Sequence, residues 1–121
     1  MDARAFLQDL FRTAVAAAHP STCLAPHLPP LPDAGRLIVL AAGKAAGSMT
    51  EVAERHYLDT LGLPADRLAG LGVTRHGYAR PTRVLPIIEA GHPVPDQASL
   101  DGAAKTLALA DAAREATSCW C

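Results

Sequence analysis

The spacing of apolar positions changes repeatedly along the chain, and each change predicts an element. Ala3, Phe6, Leu7, Leu10, Phe11, Ala14 and Ala18 recur at helical spacing, with Asp9 and Arg12 off the stripe. That pattern predicts an amphipathic helix over residues 3 to 18, with docking on a neighbouring surface of the same chain favoured over a partner-binding helix, which would show the same stripe. His19-Pro20 ends it, because a residue before proline avoids the helical region. Leu37, Ile38, Val39 and Leu40 form an apolar run too short for a buried helix, so they read as a strand covered on both faces. Past Gly43 the period becomes helical again, and Ala45, Met49, Val52, Ala53 and His56 mark the packed face of a helix starting at Lys44. Gly62 and Pro64 close it. Leu68 to Thr74 reads as a second strand, weakened by Gly70 and Gly72, and Val84 to Glu89 as a third, demoted toward an edge by Pro86. Asp96 then caps a last helix with Leu100, Ala103, Ala104, Leu107 and Ala110 as its buried stripe.

Strands alternating with helices predict an α/β fold, here a partial, Rossmann-like three-layer domain with an incomplete sheet. The expected organisation is an N-terminal amphipathic helix over 1–19, a proline-rich connector over 20–36, a partial α/β domain over 37–116 and an atypical truncated tail over 117–121. The connector holds five of the ten prolines and no periodic pattern, so it is expected to cross the surface in extended form. A further strand is due after the last helix, and Ser118-Cys119-Trp120-Cys121 does not read as one. The sequence looks cut short.

Composition narrows the function classes. At 121 residues, half of them apolar, the chain suits one globular domain and is too short for a two-domain enzyme. A net charge of −1 and five aromatic residues argue against nucleic acid or anionic lipid as partners. The longest apolar run near the N-terminus, Ala14 to Ala18, is too short for a secretion signal or a membrane span, so a cytoplasmic location without membrane partners is expected. Cys23, Cys119 and Cys121 suggest no disulfide framework, and the terminal thiols lack the partners for a tetrahedral metal site.

Candidate chemistry starts at Lys44. A helix N-terminus is partly positive, so a cation beside it is disfavoured unless an anion lies between them. Lys44 is one of only two lysines against nine arginines. The pattern fits a phosphate or carboxylate site built from Gly43, the backbone N–H groups of Ala45, Ala46 and Gly47, and Lys44; a solvated lysine on a surface turn fits it equally. The general nucleotide motifs are absent, since Ile38 and Ala45 stand where a P-loop needs Gly and Ser or Thr, and Gly43 and Gly47 lack the earlier glycine of a dinucleotide fingerprint.

Arg75, His76, Arg80 and Arg83 form the one locally basic segment. Arg75 directly follows a strand, where ligands of α/β sheets collect, and is favoured for function; Arg80 and Arg83 read as solvated. Gly91-His92-Pro93-Val94-Pro95-Asp96 is a stiff loop displaying His92, either as a general base or hydrogen-bond donor, or as a turn that merely positions the next helix.

Three segments together resemble one family. Ala41-Ala42-Gly43-Lys44-Ala45-Ala46 with Met49, Val73-Thr74-Arg75 with Gly77 and Pro81-Thr82, and Glu89-Ala90-Gly91-His92-Pro93-Val94-Pro95-Asp96 are similar to the N-terminal domain of the glycerate 2-kinases, often labelled hydroxypyruvate reductases. The resemblance runs from about Phe6 to Ala113. It implies transfer of the ATP γ-phosphoryl to the 2-hydroxyl of D-glycerate, with Mg²⁺, in a cleft shared with a separate C-terminal MOFRL domain that this chain lacks. It also implies a catalytic role for Lys44. His76-Gly77-Tyr78 departs from the family's Tyr-Gly-His, which puts a role for His76 in doubt. What the resemblance implies for this chain is the N-terminal part of such a kinase, without turnover of its own. An oxidoreductase acting on hydroxypyruvate and a non-catalytic remnant are the alternatives.

Overall fold

The computed structural model describes residues 1–113 and the backbone of residues 118–120. Its elements are α1 (Ala3–Ala18), α2 (Pro20–Cys23), β1 (Leu37–Ala42), α3 (Ala46–Arg55), β2 (Leu68–Arg75), β3 (Ile87–Ala90), α4 (Gln97–Asp111) and β4 (Ser118–Trp120). A π-helical turn, His56–Thr60, prolongs α3, and short 3₁₀ turns occupy Ala25–His27 and Ala65–Arg67. The strands form one parallel sheet in the order β3-β2-β1-β4. With α3 on one face and α4 on the other, the α/β three-layer expectation holds.

Leu37 to Leu40 are all buried, as a strand flanked by other strands and covered by a helix requires. The main core lies on the α3 face, where Leu37, Val39, Ala53, Tyr57, Leu63, Leu68 and Leu85 cluster. Tyr57 anchors it, and its hydroxyl donates to the Pro29 carbonyl at 2.9 Å. The third strand begins later than expected, at Ile87: Gly72 N–H bonds to the Pro86 carbonyl, while Val84 and Leu85 turn their amides to Glu54.

Several expectations are corrected. Helix α1 forms over the expected residues, but none of it is buried, and Phe6, Leu7, Leu10, Phe11 and Val15 are exposed. Periodicity fixes which face of a helix is apolar and says nothing about what covers it. The connector is not simply extended. Its first half is helical, and Arg67 ties its end down by donating to the Gly35 and Pro32 carbonyls at 2.7 and 2.9 Å.

Helix α3 starts at Ala46 rather than Lys44, with Ala45 at the cap position. Of the expected packed positions Val52 and Ala53 are buried, Met49 and His56 only half-buried and Ala45 exposed, while Ala46, Gly47, Thr50 and Glu54 join the buried face and Tyr57 continues it in the π-helical turn. The α4 stripe is likewise displaced. Gly102 is its one buried residue, nested against Val73 and Ile88, whereas Leu100 and Leu107 stay 65% and 63% exposed. Small residues let α4 approach the sheet closely, and the large apolar ones are pushed to its flank. Finally, Ser118–Trp120 does form a strand, parallel to β1 with Leu37 opposite Ser118.

Candidate functional site

The turns that follow the parallel strands meet at one end of the sheet. At Gly43 the chain adopts φ of +122°, which a side chain would strain, and the Gly43 N–H donates to the Val73 carbonyl at 3.0 Å. The turn therefore leaves β1 while still bonded to β2, then enters α3. Ala46 N–H returns to the Gly43 carbonyl at 3.1 Å, which commits one amide of the expected anion cradle to the turn itself.

Beside that turn lies a cavity of about 510 Å³, walled by the ends of β1, β2 and β3 and by α4. Gly43, Arg75 and His92 line it together with Thr74, Ser99, Thr106 and the apolar Val73, Ala90, Ala103 and Leu107. Three of the residues singled out by sequence are thus brought to one place. Lys44, Ala45, Ala46 and Gly47 lie outside its lining. Lys44 and Ala45 are exposed on the turn, whereas Ala46 and Gly47 are buried beneath it. Gly47 serves packing: a Cβ there would collide with the Tyr78 carbonyl oxygen, so the loop after β2 rides directly on the first turn of α3. Among the described residues Lys44 has no ion-pair or hydrogen-bond partner.

Among the described residues Arg75 is the one permanently charged side chain on the cavity. Its guanidinium carbon sits 3.6 Å from the centre of the Tyr78 ring, a cation–π stack, and its Nε is buried with no protein acceptor. Arg80 and Arg83 differ. Arg80 pairs with Glu51 at 3.2 Å and Arg83 with Asp59 at 2.8 Å, so their heads, still half-exposed, are matched to carboxylates rather than simply solvated.

Asp96 organises the loop that carries His92. Its Oδ1 accepts from the Ser99 N–H and hydroxyl, which caps α4, and its Oδ2 lies 2.7 Å from His76 Nε2. A carboxylate only accepts, so Nε2 carries the hydrogen. His76, then the Gly91 N–H and Ser99, hold the Asp96 carboxyl well below its usual range. Glu89 pins the neighbouring loop, its Oε1 accepting from the Ala79 and Gly77 amides at 3.0 and 2.9 Å. Those bonds, Ala79 foremost, lower its pKa. Sequence reasoning found Asp96 as a cap but missed its bond to His76 and missed Tyr78, Ser99 and Thr106. The Asp96-x-x-Ser99 spacing of a capping box was the available signal for Ser99; nothing local marks Tyr78.

Comparison with known proteins supplies the lineage. The profile of a family described as "Domain of unknown function (DUF4147)" matches residues 6–121. A protein of Agrobacterium vitis named "Putative hydroxypyruvate reductase" is 38% identical over 108 residues, which are 89% of this chain and 23% of that protein. A "Glycerate 2-kinase" of Pyrococcus horikoshii is 40% identical over 81 residues, 67% of this chain and 17% of that protein. A crystal structure of a Pyrococcus horikoshii protein superposes with a TM-score of 0.71 at 30% identity, covering 98% of this chain and 28% of that one. The chain thus spans about a fifth of the length of the curated relatives it matches. With nearly all of its residues inside the matched region and its fold shared with a solved relative, the chain belongs to the DUF4147 family, among whose relatives are proteins named glycerate 2-kinase and hydroxypyruvate reductase.

Proposed function

We propose that this chain forms one wall of the active site of an ATP-dependent glycerate 2-kinase, which converts D-glycerate and ATP to 2-phosphoglycerate and ADP in the cytoplasm. One observation carries the reading: the Gly43 turn, Arg75 and His92 converge on a single cavity at the carboxyl ends of parallel strands, the place where α/β sheets take their ligands. Phosphoryl transfer asks the protein chiefly for placement and for compensation of negative charge. Arg75 meets one anionic group inside the cavity, Lys44 stands outside it beside the α3 N-terminus to meet a second, and His92 faces the bound hydroxy acid as hydrogen-bond partner of its hydroxyl. ATP supplies the phosphoryl group. Among the described residues no cluster of three His, Cys, Asp or Glu is placed to hold a metal.

Alone, this chain is expected to bind D-glycerate without turning it over, because the facing wall of the cleft belongs to a separate domain. Calorimetry should detect D-glycerate and not glycerol, which lacks the carboxylate. Lys44→Ala should lower ATP affinity by roughly tenfold, the worth of one charged contact, while leaving D-glycerate affinity unchanged. A chain that ignores D-glycerate, or a Lys44→Ala variant that binds ATP as before, would count against the assignment. The relative named for hydroxypyruvate reduction keeps a second reading open, and NADH oxidation with hydroxypyruvate would establish it.

A further inference from the structure

We propose that Tyr78 is a positioning residue: it holds the Arg75 guanidinium flat so that its edge takes the carboxylate of a short 2-hydroxy acid, which leaves Lys44 to the phosphate-bearing partner. This rests on the glycerate reading above and adds which anion goes where.

Three observations carry it. The first is the contrast within the basic segment. Arg80 and Arg83 are matched to carboxylates of the chain, whereas Arg75, the one arginine on the cavity, is stacked on a ring and its Nε is claimed by no protein acceptor. Among the described residues no carboxylate pairs with Arg75, so its charge, unlike that of Arg80 and Arg83, is left for a ligand of the cavity it lines. The second is charge. Among the described residues the cavity offers one fixed positive group, set between apolar walls and the hydroxyls of Thr74, Ser99 and Thr106, which balances a monocarboxylate and would undercompensate a phosphate. The third is shape. A guanidinium fixed by stacking presents two parallel N–H groups in one plane, the geometry of a planar carboxylate rather than of a tetrahedral anion.

Tyr78 is in turn held from three sides. Its carbonyl rests on Gly47 of α3, the flanking amides of Gly77 and Ala79 bond to Glu89 of β3, and His76 reaches Asp96 at the cap of α4. The backbone that carries the ring is therefore fixed, and Arg75 stacks on a ring presented from a held loop before any ligand arrives. Preorganisation of this kind reduces the entropy lost on binding.

The test is a calorimetric series on the 121-residue chain with D-glycerate, and with inorganic phosphate as the competing anion. Tyr78→Phe keeps the ring and should bind D-glycerate within about twofold of the unaltered chain, whereas Tyr78→Leu should weaken it about fivefold, the order expected for a stacked cation. Arg75→Lys keeps the charge but not the planar fork and should lose at least about tenfold. Circular dichroism of each variant separates these effects from unfolding. Binding that survives Tyr78→Leu unchanged, or phosphate binding that depends on Arg75 as strongly as D-glycerate does, overturns the inference while leaving the glycerate reading intact. No D-glycerate binding by the unaltered chain overturns both.

Discussion

Gly70→Ala is expected to abolish the fold. Gly70 lies in the middle of β2, paired with Val39 of β1, at φ of +152°. A Cβ there would be driven into the Val39 carbonyl oxygen and would lie 2.8 Å from the carbonyl carbon. Both obstacles are backbone of the neighbouring strand and cannot rotate away, so the sheet must open between its two central strands. We expect a loss of about 4 kcal/mol or more, at the extreme of single substitutions, read as disappearance of the cooperative transition in urea. Gly62→Ala is the control. Gly62 has φ of +70° with nothing within 4 Å of the added Cβ, so only the backbone penalty of about 1 kcal/mol applies. Equal effects at the two positions would refute the packing argument.

Glu54→Ala should be the next most damaging change. Glu54 is 4% exposed, in the last turn of α3, and its carboxylate accepts three successive amides: Arg83 N–H at 2.6 Å on one oxygen, Val84 and Leu85 N–H at 2.8 and 2.7 Å on the other. Those amides precede β3, and Leu85 beside them is fully buried in the core. Removing the acceptor strands donors at about 1–3 kcal/mol each, with partial relief where water can reach, so a total of about 3 kcal/mol is expected. Glu54→Gln should cost less, because its amide oxygen still serves two of the donors while its NH₂ faces the third. Denaturant melts of the pair test this, and the account fails if alanine is tolerated as well as glutamine.

Both positions show why part of the fold escaped the sequence. Leu37 to Leu40 and the helical stripe of α1 were legible because apolar periodicity is local information. The face that α3 buries was legible only in part, at Val52 and Ala53, because two of its other buried residues, Thr50 and Glu54, are polar, and a polar residue is counted outward unless its distant partner is known. The glycines of β2 read as weaknesses, but at Gly70 the missing side chain is what lets the strands approach. Within the candidate site, Gly43, Arg75 and His92 were recoverable from their places after strands. The bond between His76 and Asp96 joins residues twenty apart through the fold and leaves no trace in spacing. The same holds for the displaced face of α4, which depends on Gly102 fitting between Val73 and Ile88 rather than on where its leucines fall.

The chain's two tyrosines sit in opposite environments: Tyr57 is sealed at 1% exposure, while Tyr78 is half open against Arg75, which lines the cavity. Phenol-directed labels such as nitration or iodination should therefore mark Tyr78, beside Arg75, with almost no signal from the interior. A single absorbing group installed in this way turns occupancy of the cavity into a colour change that needs no engineered probe.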